Sequence, residues 1–261
     1  MTKLCKPRKV LIALLLMLSA CGLFLLWLLL PICNNVDLTD PRYYIAHAAG
    51  AINGHTYTNS REALQHALKQ QLTYIELDLQ LTTDSVVVCS HDKVDNVSAD
   101  SFLNSKIQGL FTPLTLEDAL KIRKQLPFTL VTDKIDDPTI LNQFFAHDKS
   151  QLIIEAFSWQ RYIQLQREGY KSLFAFYEKS ILHYIYYCLR CKERIEWITT
   201  SANSHADILK LRILKKLFGV KIAFVPLKYP MEQAKHYIGN EFDLIYVDDL
   251  FLLGDTIAFM E

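Results

Sequence analysis

The sequence predicts an α/β protein, a (β/α)8 TIM-type barrel preceded by one transmembrane helix. Three observations predict it. Short apolar runs with strand character alternate with amphipathic helical stretches from residue 43 onward. About eight such runs fall within some 220 residues, the small end of the range for a closed barrel. No glycine-rich phosphate loop follows the first run, which removes the main mark of a doubly wound sheet.

The transmembrane helix is read from residues 10–33. That stretch is 24 residues long, carries no charge, and follows Lys3, Lys6, Arg8 and Lys9. Roughly 20 apolar residues cross the hydrocarbon core as a helix, whereas the apolar part of a cleaved signal peptide is shorter, about 7–15 residues. The four cations before it place the N-terminus in the cytoplasm and the rest of the chain on the extracytoplasmic side. The organisation expected is a basic tail over 1–9, an anchor over 10–33, a linker over 34–42 and a barrel over 43–261. Leu18-Ser19-Ala20-Cys21 resembles a lipoprotein cleavage box, but the apolar run continues well past Cys21, so the uncleaved anchor is the favoured reading.

Within the barrel, strands are expected at 43–47, 73–80, 85–89, 128–133, 152–157, 172–177, 196–200, 221–226 and 243–248. Helices are expected at 60–69, from Thr115, and at 158–168, 180–190, 206–217 and 231–238. Thr115-Leu-Glu-Asp is a loose capping box. The helix at 180–190 is apolar and rich in tyrosine. It reads as an ordinary barrel helix, with contact to a bilayer as the alternative.

Composition excludes some classes. The whole chain has 28 Lys and Arg against 28 Asp and Glu, and no basic stripe lies outside the first nine residues, so nucleic acid is not an expected partner. Without residues 1–33 the balance is 24 against 28, which argues against a general binder of anionic surfaces. Cys188 and Cys191 form a lone C-x-x-C pair. Outside the cytoplasm a disulfide is permitted, but two thiols on an aromatic helix is the favoured reading, and zinc is not expected.

Working residues in a parallel barrel sit at the C-terminal ends of strands. Glu76 and Asp78 are two apart on a strand, so they share a face. Two neighbouring carboxylates on an inward face repel, and one divalent cation relieves the repulsion; all-oxygen ligands favour Mg2+ or Ca2+. An outward, solvated face is the alternative for this pair. His47 and His91 end strands on either side of it, and histidine moves protons near neutral pH. One would deprotonate an attacking hydroxyl and the other protonate a leaving alkoxide. Lys134 would add a fixed positive charge.

The stretch from His47 to Asp92 resembles the glycerophosphodiester phosphodiesterase family. The residues that carry the likeness are His47-Ala48, Tyr57-Thr-Asn59-Ser, Glu76-Leu-Asp78, Thr82-Thr-Asp84 and His91-Asp92, with looser matches at Pro113-Leu-Thr-Leu-Glu117 and Tyr246-Val-Asp248. The resemblance implies a metal-dependent phosphodiester hydrolase acting on glycerophosphodiesters or phospholipid head groups. It implies Glu76 and Asp78 as metal ligands, His47 and His91 as the acid/base pair, and Lys134, Asn59 and Glu155 at the substrate.

Two departures stand out. Ala48 occupies the family's phosphate-binding Arg position, with Arg61 or a lysine as candidate substitutes. Thr132 occupies the third-ligand position. Asp133 is then the candidate third ligand, and strict alternation would need a bulge to turn it inward. The competing reading is a catalytically silent membrane-anchored barrel that binds a phosphorylated lipid or surface glycan.

Overall fold

The computed structural model describes residues 6–248, apart from 178, 192 and 193. The chain opens with α1 (Lys6–Leu29), β1 (Tyr44–Ala46), α2 (Arg61–Lys69), β2 (Tyr74–Leu81), β3 (Val87–Cys89), α3 (Ala99–Leu103), β4 (Leu114–Thr115), α4 (Leu116–Gln125) and β5 (Thr129–Asp133). It continues with α5 (Pro138–Phe145), β6 (Leu152–Ala156), α6 (Trp159–Arg167), β7 (Lys171–Ala175), α7 (Ile181–Cys191), β8 (Trp197–Thr200), α8 (His205–Phe218), β9 (Lys221–Phe224), α9 (Met231–Ala234) and β10 (Leu244–Val247).

Eight parallel strands, β1, β2 and β5 to β10, pair in succession, and β1 pairs with both β10 and β2 to close the barrel. The strand expected at 85–89 lies outside it. As β3 it runs antiparallel to the far end of β2, with Cys89 opposite Leu79, and β4 pairs back on β3. The reason is length. At eight residues, β2 outruns its five-residue neighbour β5, and its exposed edge is covered by the β3–β4 excursion. His91 therefore reaches the barrel mouth from this excursion, not from a barrel strand.

Alternation sets both cores. Ile75 and Leu77 point outward and pack with Leu130, Ile154, Ile198 and Ile222 under the helices. Ile45, Val131, Leu173, Ala223 and Tyr246 fill the barrel interior. Each buried aliphatic side chain contributes about 1.5–3 kcal/mol, so Leu77→Asp would break this outer layer. The serine and threonine caps act as their sequence implies: Ser60 Oγ accepts from Ala63 N–H, and Thr115 Oγ1 from Asp118 N–H.

Helix α1 stops at Leu29, short of residue 33. Pro31 has no N–H and disfavours helical backbone in the residue before it. Residues Val10–Leu29 form a helix long and apolar enough to cross a membrane, with mean hydropathy 2.7. Only its final turns meet the barrel. There Lys216 Nζ donates to the carbonyls of Trp27 and Leu30, and Arg212 Nη1 donates to Leu29 O at 2.7 Å. These are carbonyls that a helix end leaves without intrahelical partners. Residues 1–5 of the basic tail expected over 1–9, the side chains of residues 6–9, the side chain of Cys191 and residues 249–261 lie outside the described residues, so the disulfide expectation at Cys188 and Cys191 does too.

Candidate active site

Three carboxylates meet at the C-terminal mouth of the barrel. One oxygen each from Glu76, Asp78 and Asp133 lies within 4.8 Å of the other two. Glu76 and Asp78 are both buried, which rules out the solvated-face alternative. Asp133 needs no bulge. Thr129, Val131 and Asp133 share the inward face of β5 by plain alternation, while Thr132 points outward and donates to Leu77 O. The alternation breaks one residue later, at Lys134, whose φ of +53° swings its ammonium back into the site. Lys134 Nζ lies 2.9 Å from Asp78 Oδ1 and donates to His91 O at 2.7 Å. The expectation that Asp133 points away from the barrel interior rested on counting back from Lys134 as if the strand continued through it.

The two histidines stand on opposite sides of this cluster. His47 Nδ1 is 2.9 Å from Asp248 Oδ1, and His91 Nδ1 is 3.3 Å from Asp78 Oδ2. Each ring thus turns its Nε2 away from its carboxylate. The ring of Tyr57 lies between them, with centroids 4.9 Å from both imidazoles. Neither Tyr57 nor Asp248 was a sequence candidate for the site. Both lie in segments that carry the family likeness, Tyr57-Thr-Asn59 and Tyr246-Val-Asp248, but the sequence alone assigns neither of them a role. A mouth cavity of about 270 Å³ adjoins His47, walled by Tyr57, Tyr246, Val225, Leu227 and Met231.

Ala48 has φ +48°, and its N–H donates to Glu76 Oε2 at 2.6 Å. The backbone here serves the acidic cluster, and no side-chain cation replaces the expected arginine at this position. Arg61 does not substitute for it: its guanidinium is bonded to Asp118 at 2.8 Å. Lys134 is the cation at the cluster. Asn59, expected at the substrate, is fully buried and engages Asp78 twice. Its Nδ2 donates to Asp78 Oδ2 at 2.7 Å, and its Oδ1 accepts from Asp78 N–H at 2.9 Å. Glu155 lies in the barrel interior below the cluster, where Tyr177 Oη donates to it at 3.2 Å.

Charge is crowded here. Burial, followed by repulsion from Asp78 and Asp133, raises the Glu76 carboxyl well above its usual range. Burial and the neighbouring Asp78 push Asp133 up to about 7. Burial and Asp133 push Glu155 up to about 8. For Asp78, burial is outweighed by its bonds to Lys134 and Asn59, and its carboxyl is held low. Asp133 Oδ1 is buried without a hydrogen-bond partner. A buried, unpaired carboxylate oxygen is costly. An all-oxygen cluster with one orphaned ligand atom suits a hard divalent cation, which would remove both the repulsion and the orphan.

The model of the glycerophosphoryl diester phosphodiesterase family matches residues 50–155. Mouse lysophospholipase D GDPD3 is 42% identical over 65 residues, which is 25% of this chain and 18% of that protein. The human protein of the same name is 40% identical over 65 residues, 25% of this chain and 19% of that one. The matched stretch thus spans less than a fifth of either relative.

Among solved structures, a glycerophosphodiester phosphodiesterase from Agrobacterium tumefaciens superposes with a TM-score of 0.60 at 17% identity, covering 80% of this chain and 97% of that one. A glycerophosphoryl diester phosphodiesterase from Parabacteroides distasonis gives 0.59 at 18% identity, covering 88% and 93%. An Oleispira antarctica phosphodiesterase, solved with its product sn-glycerol-3-phosphate, gives 0.57 at 14% identity, covering 78% and 92%. At these identities the structures establish the barrel fold. The family match lies over the stretch that holds Asn59, Glu76, Asp78, His91 and Asp133, so over residues 50–155 the chain is similar in sequence to the glycerophosphoryl diester phosphodiesterase family, and it shares the barrel fold of the solved members.

Proposed function

We propose that this chain hydrolyses phosphodiesters of the glycerophosphodiester and lysophospholipid type, from a barrel tethered on the extracytoplasmic side of a membrane by residues 10–33. The observation that carries the reading is the clustering of Glu76, Asp78 and Asp133 between two imidazoles, each held through Nδ1 by a carboxylate. Glu76, Asp78 and Asp133 would hold one divalent cation, Mg2+ or Ca2+. When bound, it neutralises charge on the phosphate oxygens.

The chain's own groups supply the rest. Asp248 and Asp78 accept from Nδ1–H of His47 and His91, which leaves Nε2 of each ring to exchange protons with substrate. One imidazole takes the proton of the attacking hydroxyl, and the other gives a proton to the departing alkoxide. A hydroxyl next to the phosphate on the substrate itself serves as nucleophile, and water opens the resulting cyclic phosphate. Lys134 holds Asp78 ionised and carries the fixed positive charge nearest the phosphate. Asn59 orients Asp78. The half-apolar cavity beside His47 receives one of the two alcohol portions of the diester.

The test is turnover of glycerophosphocholine and of lysophosphatidylcholine by the full-length chain, with Mg2+, with Ca2+ and with chelator. The reading expects metal-dependent cleavage of at least one of them and a loss of about 10²–10⁴ in kcat for His91→Ala. Full turnover by that variant would reject the assignment. Ala48 favours the silent-barrel alternative, which expects ligand binding and no cleavage by the unaltered chain.

A further inference from the structure

A cavity of about 580 Å³ opens at the opposite end of the barrel, where the strands begin. It is lined by Tyr74, Tyr170 and Trp197, by Lys171 and Lys221, and by Glu196, which between them open β2, precede or open β7 and β8, and open β9. Lys221 Nζ sits 5.0 Å from the centroid of the Trp197 ring. Neither lysine makes an ion pair among the described residues. Nothing in the proposed reaction uses this cavity.

Two further observations bear on it. First, the chain arrives from α1 at this same end. Asn34 bonds to Gly239 and Asn240, just before β10, and the last carbonyls of α1 are held by Arg212 and Lys216, near the C-terminus of α8. Residues 10–27 are exposed throughout, so the apolar helix projects away from the barrel rather than lying along it. Second, charge is sorted along the barrel axis. The last turns of α2, α4 and α8, at the strand-start end, carry Lys69, Arg123, Lys124, Lys215 and Lys216. The first turns of the same helices, at the catalytic end, carry Glu62, Glu117, Asp118 and Asp207. Each placement suits its own helix dipole. In these three helices the placement makes the strand-start end the more basic of the two. Arg123, Lys149, Arg212 and Lys215 at this end are offset by Asp148, Glu168, Glu241 and Asp243, which leaves Lys69, Lys124, Lys171, Lys216 and Lys221 without an ion pair among the described residues. The overall excess of acid outside the anchor therefore conceals a basic face.

The geometry points to the strand-start end of the barrel as a face that rests on an anionic bilayer, with its cavity taking the head group of an anionic phospholipid. Lys171 and Lys221 meet the phosphate. Trp197 and Tyr74, both partly exposed, lie at the interfacial depth that amphipathic aromatics favour, while Tyr170 is buried and forms the floor of the cavity. Glu196 accepts from head-group hydroxyls. The catalytic mouth, at the other end, then faces away from the membrane that holds the anchor. This rests on the reading of α1 as a membrane anchor and is independent of the chemistry at the mouth.

The experiment uses the full-length chain in nanodiscs of equal parts phosphatidylcholine and phosphatidylglycerol, with retained lipid counted by native mass spectrometry. Two lysines at a bilayer surface correspond to a preference of about tenfold or more for phosphatidylglycerol. The Lys171→Glu/Lys221→Glu variant should bring that preference near parity. The milder Lys171→Gln/Lys221→Gln variant, checked for an unchanged melting temperature, should reduce it in the same direction. Equal retention of both lipids by the unaltered chain overturns the inference, as does a preference that survives both variants. A chain released by alkaline carbonate extraction overturns the anchor reading together with this one. A chain that stays embedded but keeps no phosphatidylglycerol overturns this one alone.

Discussion

Asp248 holds His47 through a 2.9 Å contact to Nδ1 across 201 residues of sequence, so the last barrel strand orients an imidazole that the first one carries. Removing this contact frees the ring to rotate and to change tautomer. Asp248→Asn should lower kcat by about 10–100-fold with little change in KM, the scale of effect expected when an orienting partner of a working histidine is lost. Steady-state kinetics read this directly, and a change confined to KM would contradict it.

Asp133 has opposite effects on stability and on binding. In the metal-free chain it is a half-buried carboxylate with an orphaned oxygen beside two other acids. Asp133→Asn should stabilise the metal-free barrel by about 1–2 kcal/mol in a urea titration, because it removes a poorly accommodated charge. The same change should weaken Mg2+ or Ca2+ binding at least about tenfold in calorimetry, since one anionic ligand is lost.

A pH dependence follows from the same crowding. Burial and Asp78 push the Asp133 carboxyl up to about 7, from the ordinary 3.8 of an aspartate. Between those values the folded chain binds a proton that the unfolded chain has lost. Its contribution to stability is therefore present at low pH and falls as pH rises through about 7. Metal-free protein should lose stability from pH 5 to pH 8, and saturating divalent cation should flatten that slope, since the cation competes with the proton. Chemical denaturation at the two pH values, with and without metal, checks both halves.

Lys134 opposes the effect of burial on Asp78, at 2.9 Å. Lys134→Met leaves that carboxylate with Asn59 and the weaker His91 contact. It should destabilise the metal-free fold by about 1.5–3 kcal/mol, the range for a lost hydrogen bond to a charged group. Lys134→Arg should recover part of that stability while leaving turnover low, because a guanidinium presents its charge with different geometry.

Much of this was legible in the sequence. The eight-strand barrel followed from strand and helix periods, and the face shared by Glu76 and Asp78 followed from their spacing. What the sequence did not give was where alternation stops. Lys134 adopts φ +53°, a local choice with no residue-type signature, and so Asp133 looked misdirected when it was not. The excursion of β3 was read as a barrel strand because three buried apolar residues look alike in either place. Asn59 carries a polar side chain that suits a substrate as well as a carboxylate, and only burial told the two apart. Asp248 and Tyr57 stand in segments that carry the family likeness, but their contacts to His47 arise through tertiary closure, which no local pattern encodes.

The most direct measurement is anomalous diffraction from crystals of the chain soaked in Mn2+, standing in for Mg2+ or Ca2+. The account predicts one strong peak at the barrel mouth, within coordination distance of oxygens from Glu76, Asp78 and Asp133 together. A peak that omits Asp133, or density only at surface carboxylates away from His47 and His91, would contradict it.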